Sequence, residues 1–100
     1  MKTRHYLYIT DPGHGWLAVP SATIRKLGIA QDISSYSHVS DSGKTVYCEE
    51  DVDAGIVRDA LRARGIELRA RTVNNARNYS SVRDMRIYSP GAIGVIVVQP

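Results

Sequence analysis

The sequence has little cysteine and lacks a long apolar run. Its single cysteine, Cys48, has no second cysteine with which to form an intramolecular disulfide or a Cys-x-x-Cys site, which agrees with a reducing compartment. The start of the chain places only about five apolar residues before Asp11, too few for a secretory signal or a membrane span. We therefore expect a cytoplasmic protein that makes no contact with a membrane.

A strong excess of charge of either sign is also lacking. The 100 residues include 13 basic and 10 acidic side chains, a formal net charge of +3, and 43% of the residues are hydrophobic. This balance is typical of a globular domain and not of a disordered chain. The length predicts a single domain over residues 1–100 with one core, so a functional site is expected on the surface or in a shallow cleft.

The first half of the chain predicts two β-hairpins separated by a short helix. Its strand segments alternate between apolar and polar residues or are bounded by turn-forming residues. These predicted strands are residues 4–10, 16–19, 33–39 and 45–48. Between the second and third strands, Ser21 as N-cap and Gly28 after the last turn predict a helix of about two turns.

The second half begins with the clearest helical pattern. The acidic residues 49–51 begin the predicted helix, where the macrodipole favours negative charge. Its apolar residues recur at helical spacing and give it a face that can lie on a sheet: Val52, Ile56 and Ala60. Residues 66–72 then alternate, which predicts a strand with one solvated, basic face.

The end of the chain is less regular. Residues 74–84 are polar and without periodicity, which predicts a loop, and residues 85–88 predict a short strand. Residues 92–98 are a glycine-interrupted, β-branched run that we expect to be paired or buried, either in the sheet of its own chain or across a homodimer. The order β-β-α-β-β-α-β predicts an α+β fold with a mostly antiparallel sheet of five to six strands and two helices packed on one face.

Several blocks of the sequence resemble a known group of proteins. The blocks are residues 11–20, 27–29, 33–37, 47–55 and 63–66, and Asp-Pro-Gly-His-Gly-Trp in the first of them is the most specific. Over residues 4–75 the chain resembles a family of small, uncharacterised proteins of bacteriophages, prophages and plasmids. The resemblance implies an origin on a mobile element and a compact fold, and it carries no catalytic residue across.

The Asp-Pro-Gly-His-Gly-Trp block supplies the first candidate site, formed by Asp11, His14 and Trp16. A glycine-flanked histidine beside an aspartate could donate a proton, and exposed backbone amides in such a turn could bind an anion. The plainer interpretation is a tight turn whose glycines adopt positive φ. It is favoured because no base, nucleophile or second ligand lies near His14 in the sequence.

Other chemistry has weaker support in the sequence. The three histidines and Cys48 do not follow a zinc-binding spacing, so we expect neither a metal nor a cofactor. The acidic residues between Glu49 and Asp53 are interpreted as partners of a helix dipole and not as an ion site. Cys48 lies in a predicted strand, where a buried and unreactive thiol is the usual state.

The arginines of the second half supply the second candidate site. Residues 58–100 carry eight basic side chains, all of them arginine, against three acidic ones. The planar guanidinium suits carboxylates and phosphates, so this set indicates an anionic partner, with a merely solvated surface as the alternative. The predicted contact surface is Arg69, Arg71, Arg77, Tyr79 and Arg83.

The small size, the absence of a catalytic constellation in the sequence and the resemblance favour a non-enzymatic binding protein. The first hypothesis is an accessory protein of a phage or mobile element that inhibits or redirects a host protein or nucleoprotein complex, as an anti-CRISPR or other anti-defence factor does. The second is a nucleic-acid or nucleotide binding module that uses the C-terminal arginines. The third is a small hydrolase centred on His14.

Overall fold

One mixed sheet of six strands forms the framework of the molecule. The structure is a computed structural model that describes residues 2–74 and 80–98. Its strands are β1 (Lys2–Thr10), β2 (Gly15–Pro20), β3 (His38–Val39), β4 (Thr45–Glu49), β5 (Ile66–Asn74) and β6 (Arg86–Ile87). They lie in the order β5-β1-β2-β4-β3-β6, and every neighbouring pair is antiparallel except β1 with β5. The predicted α+β fold with a mostly antiparallel sheet is confirmed.

Two helices cover one face of this sheet. They are α1 (Ser21–Leu27) and α2 (Asp53–Arg62), and a single helical turn, α3 (Ser80–Arg83), follows β5. The buried core lies between the helices and the inward residues of the central strands. Its main members are Leu17, Val19, Ile24, Val39, Val46, Cys48, Val57 and Leu61. Among the described residues, no helix combines the length and apolar character needed to cross a bilayer.

The helix α1 has the extent predicted for it, but its start is built differently. Gly28 adopts φ 71° and ends the helix as expected. Ser21 is not the N-cap: it is the first helical residue, and its hydroxyl donates a hydrogen bond to the Gly43 carbonyl oxygen at 2.6 Å. The bond joins the start of the helix to the turn between β3 and β4.

The start of α2 departs from the prediction by four residues. Glu49 ends β4, and its carboxylate accepts the backbone N–H groups of Asp51, Val52 and Asp53 at 2.7–2.9 Å. Those amides have no partner inside the helix, so Glu49 caps it from outside. The predicted apolar stripe is also shifted, because Val52 is exposed while Asp53, Val57 and Leu61 form the buried face.

The predicted strand over residues 33–39 is mostly wrong. Only His38–Val39 pairs with neighbouring strands, and the preceding residues turn over the start of α2. Polar contacts explain the difference: one carboxylate oxygen of the buried Asp53 accepts the Ser34 N–H and the hydroxyls of Ser34 and Ser37, at 2.5–3.0 Å. The serines that blur the alternation in the sequence are the donors of this cluster.

The C-terminal region also departs from the prediction. Part of the predicted loop over residues 74–84 lies outside the described residues, while Asn74 belongs to β5 and Ser80–Arg83 form a helical turn. The short strand near residue 86 is confirmed. The run 92–98 is not a strand: a 3-10 helix, Pro90–Ile93, precedes four residues without regular structure. The first part of the run is buried as expected, since Ile93 is 4% exposed and Ala92 and Val95 pack against the core. Ile96 and Val98 are 86% and 83% exposed, and no strand among the described residues pairs with them.

Candidate binding face and cleft

The sheet face opposite the helices carries a continuous row of side chains, one from each strand. Consecutive pairings in the strand registers place these residues side by side across the sheet. The row runs Arg71, Leu7, Ala18, Tyr47, His38, Ile87. With neighbouring strands about 4.8 Å apart, it spans about 24 Å. We call this side of the sheet the open face.

The open face is accessible over most of this row. Arg71, Leu7 and Ile87 are exposed, and the other three residues are half-buried. Three members of the row, Leu7, Ala18 and Tyr47, also line a shallow depression that extends to one side of the row. His5, Pro20 and Thr45 line that side. An apolar and aromatic strip therefore faces solvent where the opposite side of the same sheet is covered by helices.

One end of the open face deepens into a cleft of about 630 Å³. Its lining combines aromatic, apolar and charged side chains: His14, Trp16, Ser35, Tyr36, His38, Glu49, Asp51, Val52, Arg83 and Ile87. Three of these large apolar or aromatic residues are well exposed, Tyr36 at 79%, Val52 at 59% and Ile87 at 64%. The cleft is therefore rimmed by apolar groups that nothing in the described part of the chain covers.

Trp16 forms the buried floor of the cleft. It lies on the open face, next to Glu49 in the sheet register, yet it is only 4% exposed. The Arg83 guanidinium lies 5.7 Å from the centroid of its ring, a cation–π arrangement. The rings of His14 and His38 flank it at centroid distances of 5.8 and 6.2 Å. The tryptophan is thus held by a cation and two imidazoles, and residues far apart in sequence meet on it.

Asp11 fixes the turn that carries His14. Its carboxylate accepts the backbone N–H groups of Gly13 and His14, both at 2.9 Å, and two guanidinium hydrogen bonds from Arg83, at 2.6 and 3.0 Å. The Arg83 bonds, with the turn amides, hold the pKa of Asp11 well below its usual range. Because this carboxylate is fully engaged and stays charged, its role is to fasten α3 to the hairpin and not to act as a general acid.

The hairpin also depends on a close contact at its second glycine. A Cβ atom at Gly15 would overlap the phenol of Tyr8, so only glycine leaves room for the ring. The Tyr8 hydroxyl donates a hydrogen bond to the Glu50 carboxylate at 2.8 Å. Gly15 thus serves packing. The block does form a tight turn, closed by a hydrogen bond from the Asp11 N–H to the His14 carbonyl oxygen. The expectation that its glycines adopt positive φ is wrong, because neither Gly13 nor Gly15 does so.

Glu49 brings negative charge to the cleft. Burial by itself would raise the pKa of its carboxyl, but the three backbone N–H donors at the start of α2 outweigh that effect and lower the pKa, with a further contribution from nearby His14. Asp51 adds a second carboxylate to the lining. The cleft end of the open face therefore carries acidic groups, whereas β5 at the other end carries Arg69 and Arg71.

The described side chains offer no constellation for a metal. Within residues 2–74 and 80–98, no three histidine, cysteine or acidic residues come together in a way that could hold an ion. His38 is engaged through Nδ1, which lies 3.1 Å from the Met85 carbonyl oxygen. Since a carbonyl oxygen only accepts, Nδ1 carries the hydrogen of that bond.

The residues predicted from the sequence fall into three groups. Arg83 joins Asp11, His14 and Trp16 in one cluster, although it was predicted to belong to the arginine contact surface. Arg69 and Arg71 lie on β5, exposed on the open face, and Arg69 forms an ion pair with Glu67 at 3.3 Å. The remaining two predicted residues, Arg77 and Tyr79, lie outside the described residues.

Other residues of the cleft were not predicted as site residues. They are Tyr36, His38, Glu49, Val52 and Ile87. The exposed Val52 and Ile87 resemble ordinary core residues in the sequence, and strand pairing decides that His38 stands beside Tyr47. For Tyr36 the sequence does contain a signal: the serines around it interrupt the strand pattern, which indicates that the segment is not a regular strand.

Comparisons with known proteins return no match: no family model, no curated protein and no solved structure is similar to this chain. The resemblance to proteins of phages and plasmids therefore stays a prediction.

Proposed function

We propose that this protein is a non-enzymatic binding module that docks a protein partner on its open face and in the adjoining cleft. The observation that carries the proposal is the row of six residues, one from each strand, that stays uncovered while both helices lie on the other face. An α+β domain usually hides the apolar side of its sheet. A sheet side that keeps Leu7 and Ile87 in solvent offers a surface for a partner.

The composition of this surface is that of a protein interface. Such interfaces combine aromatic and aliphatic anchors at the centre with a polar rim. Here Tyr36, Val52 and Ile87 project from the cleft, and charged side chains surround them. Trp16 beneath them is already held in place by Arg83, so the floor of the cleft loses little conformational entropy on binding.

The charge pattern favours a protein over a nucleic acid. Arg69 and Arg71 lie at the β5 side, but Glu49 and Asp51 lie at the cleft. A phosphate backbone that followed the open face would meet repulsion at its acidic end. A protein surface carrying both signs of charge can match both ends, and such complementarity sets specificity and association rate.

The resemblance to small proteins of mobile elements supports a narrower form of the proposal. The partner is then a host protein or nucleoprotein complex of the cytoplasm, which the protein inhibits or redirects, as anti-CRISPR and other anti-defence factors do. The engagement of Asp11 with backbone amides and Arg83 counts against the third hypothesis, a hydrolase that pairs Asp11 with His14.

The test is affinity capture from a bacterial host lysate, with and without nuclease, using the wild-type protein and two open-face variants, Leu7→Glu and Arg71→Glu. Both residues are exposed, so the fold should be retained and circular dichroism can check it. We expect one protein to be captured stoichiometrically after nuclease treatment. Its affinity for either variant should fall at least about tenfold, the loss typical of a contact at the centre of an interface.

Arg64→Glu is the matched control. This variant makes the same change of charge as Arg71→Glu. Arg64 lies on the helix side, next to Lys26 and Leu61 and away from the open face. It should leave capture unchanged. The proposal is wrong if no nuclease-resistant protein is captured, or if the open-face variants bind that protein as tightly as the control. Capture that disappears with nuclease would instead support the nucleic-acid hypothesis.

A further inference from the structure

Within the part of the chain that the structure describes, no strand pairs with the outer edge of β5 along residues 66–73. The strand covers nine residues, Ile66–Asn74, lies at the end of the sheet and pairs only with β1. The outward N–H and C=O groups of such an edge are a template for another strand.

Natural edges are often protected by proline, by bulges or by being short, and β5 lacks these features. It contains neither proline nor glycine, and its pairing with β1 continues through nine residues without interruption. Residues 69–72 are all exposed, so neither helix covers this part of the edge. Residues 66–71 alternate between apolar and charged side chains. When two copies of this segment lie antiparallel, the apolar residues of one can face those of the other, and its acidic residue can face a basic one.

We propose that two copies of this protein pair antiparallel through β5, with Leu68 of each copy opposite Leu68 of the other. In this register Ile66 faces Ala70 of the second copy, so apolar residues meet on the helix side. Glu67, which forms an ion pair with Arg69 of its own chain at 3.3 Å, faces Arg69 of the second copy on the open-face side, twice by symmetry. Opposite charges directly across a strand pair stabilise it, and like charges there destabilise it.

Shifting the register by one or two residues along the strand brings like charges together. Centring the pair on residue 69 places Glu67 opposite Arg71 but sets the two Arg69 side chains against each other. Centring it on Ala70 sets Arg69 against Arg71 in both halves. The Leu68-centred register brings no like charges together, and β-sheet register is set by such side-chain matches. The five residues 66–70 form the ladder, so the dimer is expected to be weak and dependent on concentration.

This dimer has a consequence for the sheet. A two-fold axis through an antiparallel edge pair stands perpendicular to the sheet, so the two open faces lie on the same side. The joined sheet then presents both rows of side chains together, with Arg71 of each copy near the centre. The dimer itself does not depend on the proposed function and can be tested without any other partner.

The test uses charge exchange and sedimentation velocity over a wide range of protein concentration. The wild type should form dimers as concentration rises. E67R places arginine against Arg69, and R69E places glutamate against Glu67, so each should raise the dimer dissociation constant at least about tenfold. The double variant E67R/R69E restores both pairs and should dimerise as the wild type does. A mixture of the two single variants should form heterodimers.

Four outcomes would overturn the proposal. A wild type that stays monomeric up to millimolar concentration has no such interface. Single variants that dimerise like the wild type, or a double variant that stays monomeric, would exclude the Leu68-centred register. A dimer that ignores these charges but is lost on truncation after Gly94 would assign the interface to the C-terminal tail.

Discussion

Asp53→Ala tests the polar cluster that shapes the wall of the cleft. One oxygen of this fully buried carboxylate accepts the Ser34 N–H and the hydroxyls of Ser34 and Ser37. These bonds hold the turn that carries Ser35 and Tyr36 into the cleft lining. Alanine removes the acceptor for all three donors at once.

The expected loss follows from the donors left behind. A buried donor without a partner costs about 1–3 kcal/mol. Ser37 is fully buried and bears the full cost, whereas the half-buried Ser34 can recover part of it from water. The other carboxylate oxygen, Oδ1, is buried without a hydrogen-bond partner, so its removal offsets part of this loss. We expect Asp53→Ala to lower the free energy of unfolding by about 2–4 kcal/mol, a large part of the roughly 5–15 kcal/mol typical of a domain. Asp53→Asn keeps shape and an acceptor but loses the charge, and should cost about 1–2 kcal/mol.

Urea unfolding followed by tryptophan fluorescence measures both values, because Trp16 is the single tryptophan. Asp59→Ala is the control: it lies on the same helix, its side chain is 65% exposed, and its pair with Arg58 should contribute less than about 1 kcal/mol. If Asp53→Ala unfolds within about 1 kcal/mol of the wild type, the cluster does not hold the turn and the reasoning fails.

Three further predictions follow from packing and burial. Gly15→Ala should lower the free energy of unfolding by about 1–3 kcal/mol because its Cβ meets the Tyr8 ring, whereas Gly91→Ala, with open space around it, should be near neutral in the same urea assay. Burial raises the pKa of Tyr8 and Tyr88 from 10.0 to about 12, so the stabilisation from their neutral phenols is complete below pH 10.0 and is lost as the pH rises towards 12. Tyrosinate absorbance should show both groups titrating late, and titration of all tyrosines near their ordinary pKa would contradict this. Burial also raises the pKa of the Cys48 thiol, so a thiol reagent should label it only after unfolding, and rapid labelling of the native protein would refute its burial.

The sequence supports the elements that local chemistry defines. The turn at residues 11–15, the glycine that ends α1 and the strand β5 each carry a signal within a few residues, and all three elements are present. The predicted alternation of burial in β5 is found only over residues 66–68, because residues 69–72 are all exposed. The buried state of Cys48 follows in the same way from its place in an apolar strand. Such features are governed by backbone sterics and by side-chain period, which neighbouring residues decide.

The errors arise where distant residues compete with local preference. The segment before His38 has β-branched and aromatic residues but turns away to satisfy Asp53, which is sixteen residues from Ser37. The sequence predicts Glu49 as the first residue of a helix. In the structure Glu49 ends β4, and its carboxylate caps the start of α2. The C-terminal run has strong β-propensity, but in this chain no strand pairs with residues 95–98 as the structure describes them.

By itself, the sequence determined an α+β fold, its turns and the existence of a basic strand after the long helix. The tertiary structure alone decided which side of the sheet stays open, because that depends on how six strands align. The alternation within a strand places Leu7 and Tyr47 on the face of the sheet opposite to the residues adjacent to them in sequence. Only strand order and register bring the two residues into one row with His38 and Ile87. The contact of Arg83 with Trp16 likewise depends on the tertiary structure, which brings α3 against β2 although the two residues are far apart in sequence.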